Sequence, residues 1–559
     1  MHINNLRCHN LGLIFCIGFI SFFSLNVGAQ NIHKADSIRG SITPEREWWN
    51  LKHYELRVTI DPDTKTVVGS NKIRFEILNP NHKFMQIDLQ EPMQIDSIVH
   101  QNNLLEFSRS GMAHFIRFPK DVVFHEQERD SLTIYFSGNP IEAKNAPWDG
   151  GIIWDKDANG DHFAASAVQG IGASVWWPTK EHSYDKPDEG VDLYYTTDNR
   201  YAIIGNGRLI SSYETGQGKR TWHWQVQSPI NNYNVSFNLG KYTTIKDTYN
   251  GLNGELDLTY YPLALYKSEA IEHFSQVTNM LEAMEFWFGP YPFYNDGYKL
   301  TQAPFVGMEH QSNVAWGNGF QQGYTGNDIS NSGYGLTFDF MIVHESIHEW
   351  FGNSLTHNDI ADMWLHEGFT SYGEALYVEY FHGKDAGQAY TRGTRDRINN
   401  ETPIQGKYGI HDQPSSDIYY KGANVLLTLR QIINDDKIWR EILQHLQQKF
   451  KQTSVDSEMV ENEIARMANK DLQSFFDVYL RQAQIPSFEW HVKGSRLFYR
   501  YQEVPNNFVM PIRLFIDKQE VWLEPTTKWK KHKIFKGAEV QLDSNFYVNE
   551  LNTFSKNRN

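Results

Sequence analysis

The first part of the chain alternates between apolar and polar residues. The alternation is clear at positions 54–60 and 72–77, and Asp-, Asn- and Pro-containing turns follow at 61–63 and 79–81. Alternation with a period of two is typical of strands that bury one face, and short strands at close spacing are typical of antiparallel sheets. The pattern therefore predicts an N-terminal antiparallel β domain over residues 30–250.

Further along the chain, apolar residues recur at the spacing of amphipathic helices. The predicted helices span 267–288, 336–352, 359–382, 417–434, 436–452, 456–469 and 471–483. After Pro486 the alternating pattern returns. The expected fold class is multidomain α+β, with a mainly α domain over 251–485 and a small C-terminal β domain over 486–559.

The N-terminus has the pattern of a secretory signal peptide at residues 1–29. Arg7 precedes an apolar run at 11–25, and Val27 and Ala29 place small residues at the −3 and −1 positions of a cleavage site before Gln30. We expect export to a periplasmic or extracellular location, with no stable membrane insertion after cleavage. An uncleaved anchor is the alternative.

The two cysteines, Cys8 and Cys16, both lie in this predicted signal peptide. The expected mature chain has no cysteine, which excludes thiolate catalysis and cysteine-ligated zinc. The 559 residues carry a net charge of −15. This acidic balance argues against a nucleic acid as the main partner, because phosphate backbones are bound by basic surfaces.

The sequence H-E-x-x-H occurs at His344, Glu345 and His348, within an apolar stretch. Residues i and i+4 of a helix differ by about 40° in direction, so the two imidazoles project from one face, as a shared zinc ion requires. Glu345 lies beside them and is placed to polarise a water molecule rather than to bind the metal.

A third metal ligand is expected on the next predicted helix. Glu367 follows His348 by 19 positions, and two histidines with one glutamate leave a tetrahedral position open for catalysis. His366 competes for this role, but adjacent helical residues point about 100° apart, so only one can face the metal. Glu374 is either an acceptor for a ligand imidazole or a surface carboxylate.

These motifs resemble those of the gluzincin aminopeptidases, the relatives of aminopeptidase N and leukotriene hydrolase. H-E-x-x-H is followed by Glu367, while Gly307-Met308-Glu309-His310 resembles the family's Gly-Ala-Met-Glu-Asn. Tyr419-Tyr420-Lys421-Gly422 lies at the position of the family's tyrosine motif, and Gln169 resembles its N-terminal glutamine. The resemblance spans roughly residues 45–485.

The resemblance implies a thermolysin-like catalytic domain with one zinc ion per chain, and hydrolysis of the N-terminal residue from peptides with a free amino terminus. The implied roles are zinc binding by His344, His348 and Glu367, general base catalysis by Glu345, oxyanion stabilisation by Tyr419, and substrate binding by Glu309, Gln169, Gly307 and Met308. In this interpretation Glu309 captures the substrate's α-ammonium group, with help from Gln169.

Other uses of the same site are an endopeptidase, an epoxide hydrolase, or a non-catalytic peptide-binding protein. The large C-terminal helical domain of many relatives is expected to be missing. Such a cleft would be more open, or would be closed by another subunit. The sequence leaves the preferred first residue, the physiological substrate and the oligomeric state open.

Residues 155–161 resemble the first half of an EF-hand calcium loop, but Ser166 stands where that loop has its bidentate glutamate. The residues on either side alternate as strands do, so the pattern favours a hairpin turn over a calcium site.

Overall fold

A computed structural model describes residues 34–412 and 414–552. The predicted signal peptide at 1–29 lies outside the described residues. Within the described ranges, no helix is both long enough and apolar enough to cross a membrane.

Two short helices open the described chain and strands follow them. Their bounds are α1 (Lys34–Gly40), α2 (Pro44–Glu47), β1 (Trp49–Asp61), β2 (Thr66–Ile77), β3 (Phe84–Asp88), β4 (Gln94–His100), β5 (Asn103–Leu104), β6 (Glu106–Ser110), β7 (Ala113–Arg117), β8 (Arg129–Gly138), β9 (Gly151–Lys156), β10 (His162–Ala167), β11 (Val191–Asp198), β12 (Ala202–Gly205), β13 (Arg208–Gly216), β14 (Lys219–Val226) and β15 (Phe237–Gly240).

The main sheet of this N-terminal domain has eight strands in the order β13-β14-β11-β1-β2-β8-β4-β5. Smaller sheets have the orders β12-β15-β10-β9 and β3-β7-β6. The strand pairs are antiparallel apart from β1 and β11, which run parallel with Tyr54 opposite Val191. The predicted β domain is confirmed, but its main sheet is mixed, because β1 and β11 are neighbours in the sheet although nine strands separate them in sequence.

Alternation in β1 matches burial, since Leu56, Val58 and Ile60 lie in the core and Arg57 points outward.

The strands β9 and β10 form a hairpin whose turn contains Asp157. The Asp157 carboxylate accepts hydrogen bonds from the backbone N–H groups of Asn159 and Asp161, at 2.8 and 3.0 Å. The turn that the sequence favours is therefore present.

The second domain combines a small sheet with helices. Its elements are β16 (Ile245–Gly251), β17 (Gly254–Tyr261), α3 (Lys267–His273), α4 (Gln276–Phe288), β18 (Tyr298–Gln302), β19 (Gly307–Met308), β20 (Val314–Trp316), α5 (Phe340–Ile347), β21 (Leu355–His357), α6 (Trp364–His382), α7 (Lys384–Gly393), α8 (Tyr420–Ile433), α9 (Asp436–Lys449), β22 (Thr453–Val455), α10 (Ser457–Ala468) and α11 (Gln473–Arg481). The sheet order is β16-β17-β18-β20-β19, with β21 and β22 paired separately.

The predicted helices occur in the expected order but differ in their ends, and α7 was not predicted. The predicted helix 267–288 is two helices, separated at Phe274 and Ser275. The predicted helix 336–352 is wrong at both ends, because α5 covers only Phe340–Ile347. Phe338 and Phe351 lie outside that helix but are buried in the core. Their apolar side chains extended the helical pattern in the sequence beyond the true ends of the helix.

A small β unit completes the described chain. Its strands are β23 (Ser487–Lys493), β24 (Arg496–Gln502), β25 (Ile512–Ile516), β26 (Gln519–Leu523), β27 (Lys530–Lys533), β28 (Val540–Leu542) and β29 (Asn549–Asn552). They form two sheets, β27-β24-β23-β29 and β26-β25-β28. Phe488, Met510 and Phe546 of this unit belong to the same buried cluster as Phe475 and Tyr479 of α11.

The N-terminal β domain meets the second domain through a small apolar cluster. It joins Ala165 and Ala167 of β10 to Met308 and Ala315 on β19 and β20. Gln169 follows β10 by two residues, so this contact brings Gln169 close to the edge strand β19 of the second domain.

Candidate metal centre

Helix α5 carries the H-E-x-x-H sequence and begins at a strong cap. The Asp339 carboxylate accepts hydrogen bonds from the backbone N–H groups of Met341 and Ile342, at 2.8 and 3.2 Å. It also accepts from Trp316 Nε1 at 2.8 Å and pairs with His273 Nε2 at 2.6 Å. An acidic N-cap satisfies the free N–H groups of the first turn, so it fixes where the helix starts.

Three predicted ligands converge at this helix. Glu367 Oε2 lies 3.3 Å from His348 Nε2 and 3.7 Å from His344 Nε2. All three side chains are buried, and their candidate ligand atoms lie within 4.8 Å of one another. Within the described part of the chain, Glu367 Oε2 is a buried oxygen without a hydrogen-bond partner. A divalent cation between the three atoms would satisfy it.

The other ring nitrogen of each histidine already has a partner. His344 Nδ1 lies 2.6 Å from Glu374 Oε1, and His348 Nδ1 lies 3.0 Å from the carbonyl oxygen of Phe351. These contacts fix both Nε2 atoms towards Glu367, as outer partners do for zinc-bound histidines. Two histidines and one glutamate are the donor set of a catalytic zinc site, so the residues fit zinc.

The side chain of Glu374 is fully buried, so it is not the surface carboxylate that the sequence left as an alternative. Its second oxygen accepts a hydrogen bond from the Tyr390 hydroxyl at 2.8 Å.

His366 takes no part in the cluster. Its Nε2 accepts the backbone N–H of His357 at 3.0 Å, and its ring stacks on that of His357.

We expect Glu374→Gln to weaken zinc binding, because an amide is a poorer acceptor for the His344 N–H than a carboxylate. Changes to such outer partners reduce metal affinity by about 10–100-fold. Competition against a fluorescent chelator, with Glu458→Gln as an exposed control, would measure the loss. An unchanged zinc affinity would contradict the supporting role.

Glu345 faces the cluster beside β19. A Cβ atom on Gly307 would lie 2.7 Å from Glu345 Oε1, so a side chain at this position would displace the carboxylate from where it lies. Burial raises the pKa of Glu345 to about 7. Gly307 and Met308 form the edge strand of the sheet through pairing with Trp316 and Ala315.

Glu309 follows that edge strand and points towards the same space. Candidate ligand atoms of Glu309, Glu345 and His348 lie within 4.8 Å of one another. Gln169 Nε2 donates to Glu309 Oε1 at 2.5 Å and to Glu367 Oε1 at 3.3 Å, so one amide joins both carboxylates. Burial raises the pKa of Glu309, and the charges that act most strongly on it are those of His348 and Glu367.

Two residues that the sequence did not single out hold the Glu309 turn. Asn353 Nδ2 donates to the backbone oxygen of Glu309 at 2.8 Å, and Glu349 Oε1 accepts the backbone N–H of Ser312 at 2.7 Å. Glu349 is fully buried, and burial raises its pKa to about 8. Its position next to His348, in an apolar stretch, was the available sequence signal.

Tyr419 lies between a short 3-10 turn and helix α8. Its ring stacks near that of His344, with centroids 6.2 Å apart. Burial and the charges of Glu367, Glu309 and Glu345 hold the pKa of the Tyr419 hydroxyl well above its ordinary value. The hydroxyl therefore stays protonated and can donate a hydrogen bond.

The sequence is similar to known proteases. Residues 274–479 match the model of the peptidase family M1 domain. The chain is 24% identical over 350 residues to mouse endoplasmic reticulum aminopeptidase 1, covering 59% of this chain and 36% of that protein. It is 22% identical over 417 residues to aminopeptidase N of Lactobacillus helveticus, covering 69% of this chain and 45% of that one. The chain thus spans less than half the length of these curated relatives.

Solved structures share the fold. The M1 zinc metallopeptidase of Deinococcus radiodurans superposes with a TM-score of 0.65 at 18% identity, covering 79% of this chain and 95% of that one. A mutant of that protein, bound to a Tyr-Ser-Ala substrate, superposes with a TM-score of 0.64 at 18% identity, covering 78% of this chain and 95% of that one. The fold class predicted from the sequence is confirmed.

The motif spacing, the converging His344, His348 and Glu367, the matched domain and the shared fold agree with one another. The match of residues 274–479 to the peptidase family M1 domain supports the resemblance of the motifs to the gluzincin aminopeptidases.

Proposed function

We propose that this protein is a zinc-dependent aminopeptidase that hydrolyses the N-terminal residue from peptides. The observation that carries the proposal is the position of Glu309, a buried carboxylate beside the three candidate zinc ligands. An exopeptidase must bind the substrate's ammonium group at a fixed distance from the scissile bond, and a carboxylate does so through a charge-assisted hydrogen bond. One zinc ion per chain and export from the cell are part of the same proposal.

Zinc bound by His344, His348 and Glu367 would polarise the scissile carbonyl and lower the pKa of a coordinated water to about 7. Glu345 would accept the proton from the attacking water and pass it to the leaving amine. Its pKa, raised to about 7 by burial, suits both steps, because a general base works best when its pKa is near the working pH.

Two further residues would complete the site. The protonated Tyr419 hydroxyl would donate a hydrogen bond to the oxyanion that forms when the carbonyl carbon becomes tetrahedral. Gln169 would hold Glu309 in the direction of the ammonium group, since its amide already donates to that carboxylate at 2.5 Å. A related structure bound to Tyr-Ser-Ala supports peptides as the substrate class.

We expect free peptides to be cleaved well and N-acetylated peptides poorly, because acetylation removes the positive charge that Glu309 would bind. Glu309→Gln should raise KM for free peptides by about 10- to 100-fold, in keeping with the loss of a buried charge-assisted contact of about 1.5–3 kcal/mol. Steady-state assays on paired free and blocked peptides measure both effects.

Glu458→Gln, which changes an exposed glutamate, is the matched control and should leave KM unchanged. Equal cleavage of blocked and free peptides by the wild type would instead favour an endopeptidase.

A further inference from the structure

Gln169 precedes a turn at residues 170–172. Side chains from distant parts of the sequence donate hydrogen bonds to carbonyl oxygens of this turn. His411 Nε2 donates to the Gly170 oxygen at 2.8 Å, and Gln90 Nε2 donates to the Ile171 oxygen at 2.7 Å. Arg39 Nη2 donates to both oxygens, to that of Gly170 at 3.1 Å. The turn is therefore fixed by parts of the chain far from it in sequence.

Arg39 also forms an ion pair with Glu181, which itself binds the backbone next to this turn. Its Nη2 pairs with Glu181 Oε1 at 2.9 Å, and Glu181 Oε2 accepts the backbone N–H of Ser174 at 2.9 Å. Gly172 has a φ of 95°, and a Cβ there would lie 1.5 Å from Glu181 Oε1. The Arg39–Glu181 ion pair thus encloses a turn whose backbone only glycine can adopt.

Helix α1 joins this turn to the segment that leads to Tyr419. The backbone N–H of His411 donates to the Asp36 oxygen at 3.2 Å. A Cβ on Gly40 would lie 2.2 Å from the His411 nitrogen, so α1 and this segment are in close contact. One short helix near the start of the described chain therefore contacts the β domain and the catalytic domain together.

A cavity of about 100 Å³ lies beside the turn and is lined in part by Arg39, Gln169, Tyr233 and His411. Without the Arg39 side chain, the turn would lose two hydrogen bonds and would border a larger space. The Gln169 amide, which reaches Glu309 at 2.5 Å and Glu367 at 3.3 Å, would then be free to move from both.

We propose that Arg39 is a positioning residue for the amine site, acting through the 170–172 turn and Gln169. It does not bind the substrate. It keeps the Gln169 amide on Glu309, so that the Glu309 carboxylate is oriented before a peptide arrives. The inference rests on the proposed aminopeptidase function.

The test compares Arg39→Met with wild type on free and N-acetylated peptides. We expect KM for free peptides to rise about tenfold, with kcat and bound zinc nearly unchanged, because displacements of about 1 Å in binding groups have effects of this order or larger. Hydrogen exchange of the backbone amides at 170–176 should also become faster. Arg39→Lys, which keeps the charge opposite Glu181 but lacks the guanidinium fork, should give an intermediate KM.

Arg200→Met is the matched control, since Arg200 is exposed and forms an ion pair with Asp198, two residues away. If wild type prefers free peptides but Arg39→Met leaves KM unchanged, the role of Arg39 is overturned while the proposed function stands. Loss of kcat and zinc together with the rise in KM would also overturn it, because that outcome indicates general damage. Equal cleavage of both peptides by wild type would overturn the proposed function and this inference with it.

Discussion

Glu345→Gln is expected to lower kcat by about 10³-fold while zinc stays bound, which is within the range for loss of a general base. The amide has the shape of the carboxylate, so it fits the space that Gly307 leaves open. It cannot accept the proton from water. The three candidate zinc ligands are unchanged, and the metal content measured by atomic emission should equal that of wild type.

A matched control for this variant is Glu441→Gln, which alters an exposed glutamate of α9 paired with Lys437. The control should keep full activity. Peptidase activity within tenfold of wild type in Glu345→Gln would refute the role of Glu345 as the base.

Tyr419→Phe is expected to reduce kcat by about 10²- to 10³-fold, the usual effect of removing one oxyanion donor. KM should change little, because the hydroxyl would interact with charge that develops only in the transition state. The phenyl ring retains the stacking near His344, so the metal site should stay intact. Stopped-flow or steady-state kinetics on a free dipeptide amide would separate kcat from KM.

The neighbouring residue provides a sharp comparison, since Tyr420→Phe removes a hydroxyl one position along the chain. Tyr420 begins helix α8, and its ring centroid lies 6.3 Å from that of Tyr419. We expect Tyr420→Phe to keep kcat within a few-fold of wild type. A larger loss of kcat in Tyr420→Phe than in Tyr419→Phe would show that Tyr420, and not Tyr419, is the oxyanion donor.

The convergence of the candidate zinc ligands could be predicted because their geometry is local. His344 and His348 share a helical face by spacing alone, and Glu367 lies on the following helix at a suitable separation. The structure brings these three together as predicted. The ends of α5 could not be predicted from periodicity, since its start depends on the Asp339 cap and on contacts of Asp339 with Trp316 and His273.

The contacts that hold Glu309 and Gln169 in place could not be predicted for a different reason. Asn353, Glu349 and Arg39 act through backbone oxygens and N–H groups of residues distant in sequence. Such contacts leave no periodic or motif signal, because a backbone group is the same at every position. The contacts of His366 likewise needed the fold, which places its ring against that of His357.

The predicted domain boundary at residue 485 lies between two segments, α11 and the small C-terminal β unit, that share one buried cluster. Tyr479 of α11 donates its hydroxyl to the Tyr547 oxygen at 2.7 Å and lies in the same cluster as Phe488 and Phe546. Deleting the β unit would expose this apolar face of the catalytic helices to water. The boundary separates two patterns of sequence, but the segments on either side share one hydrophobic core.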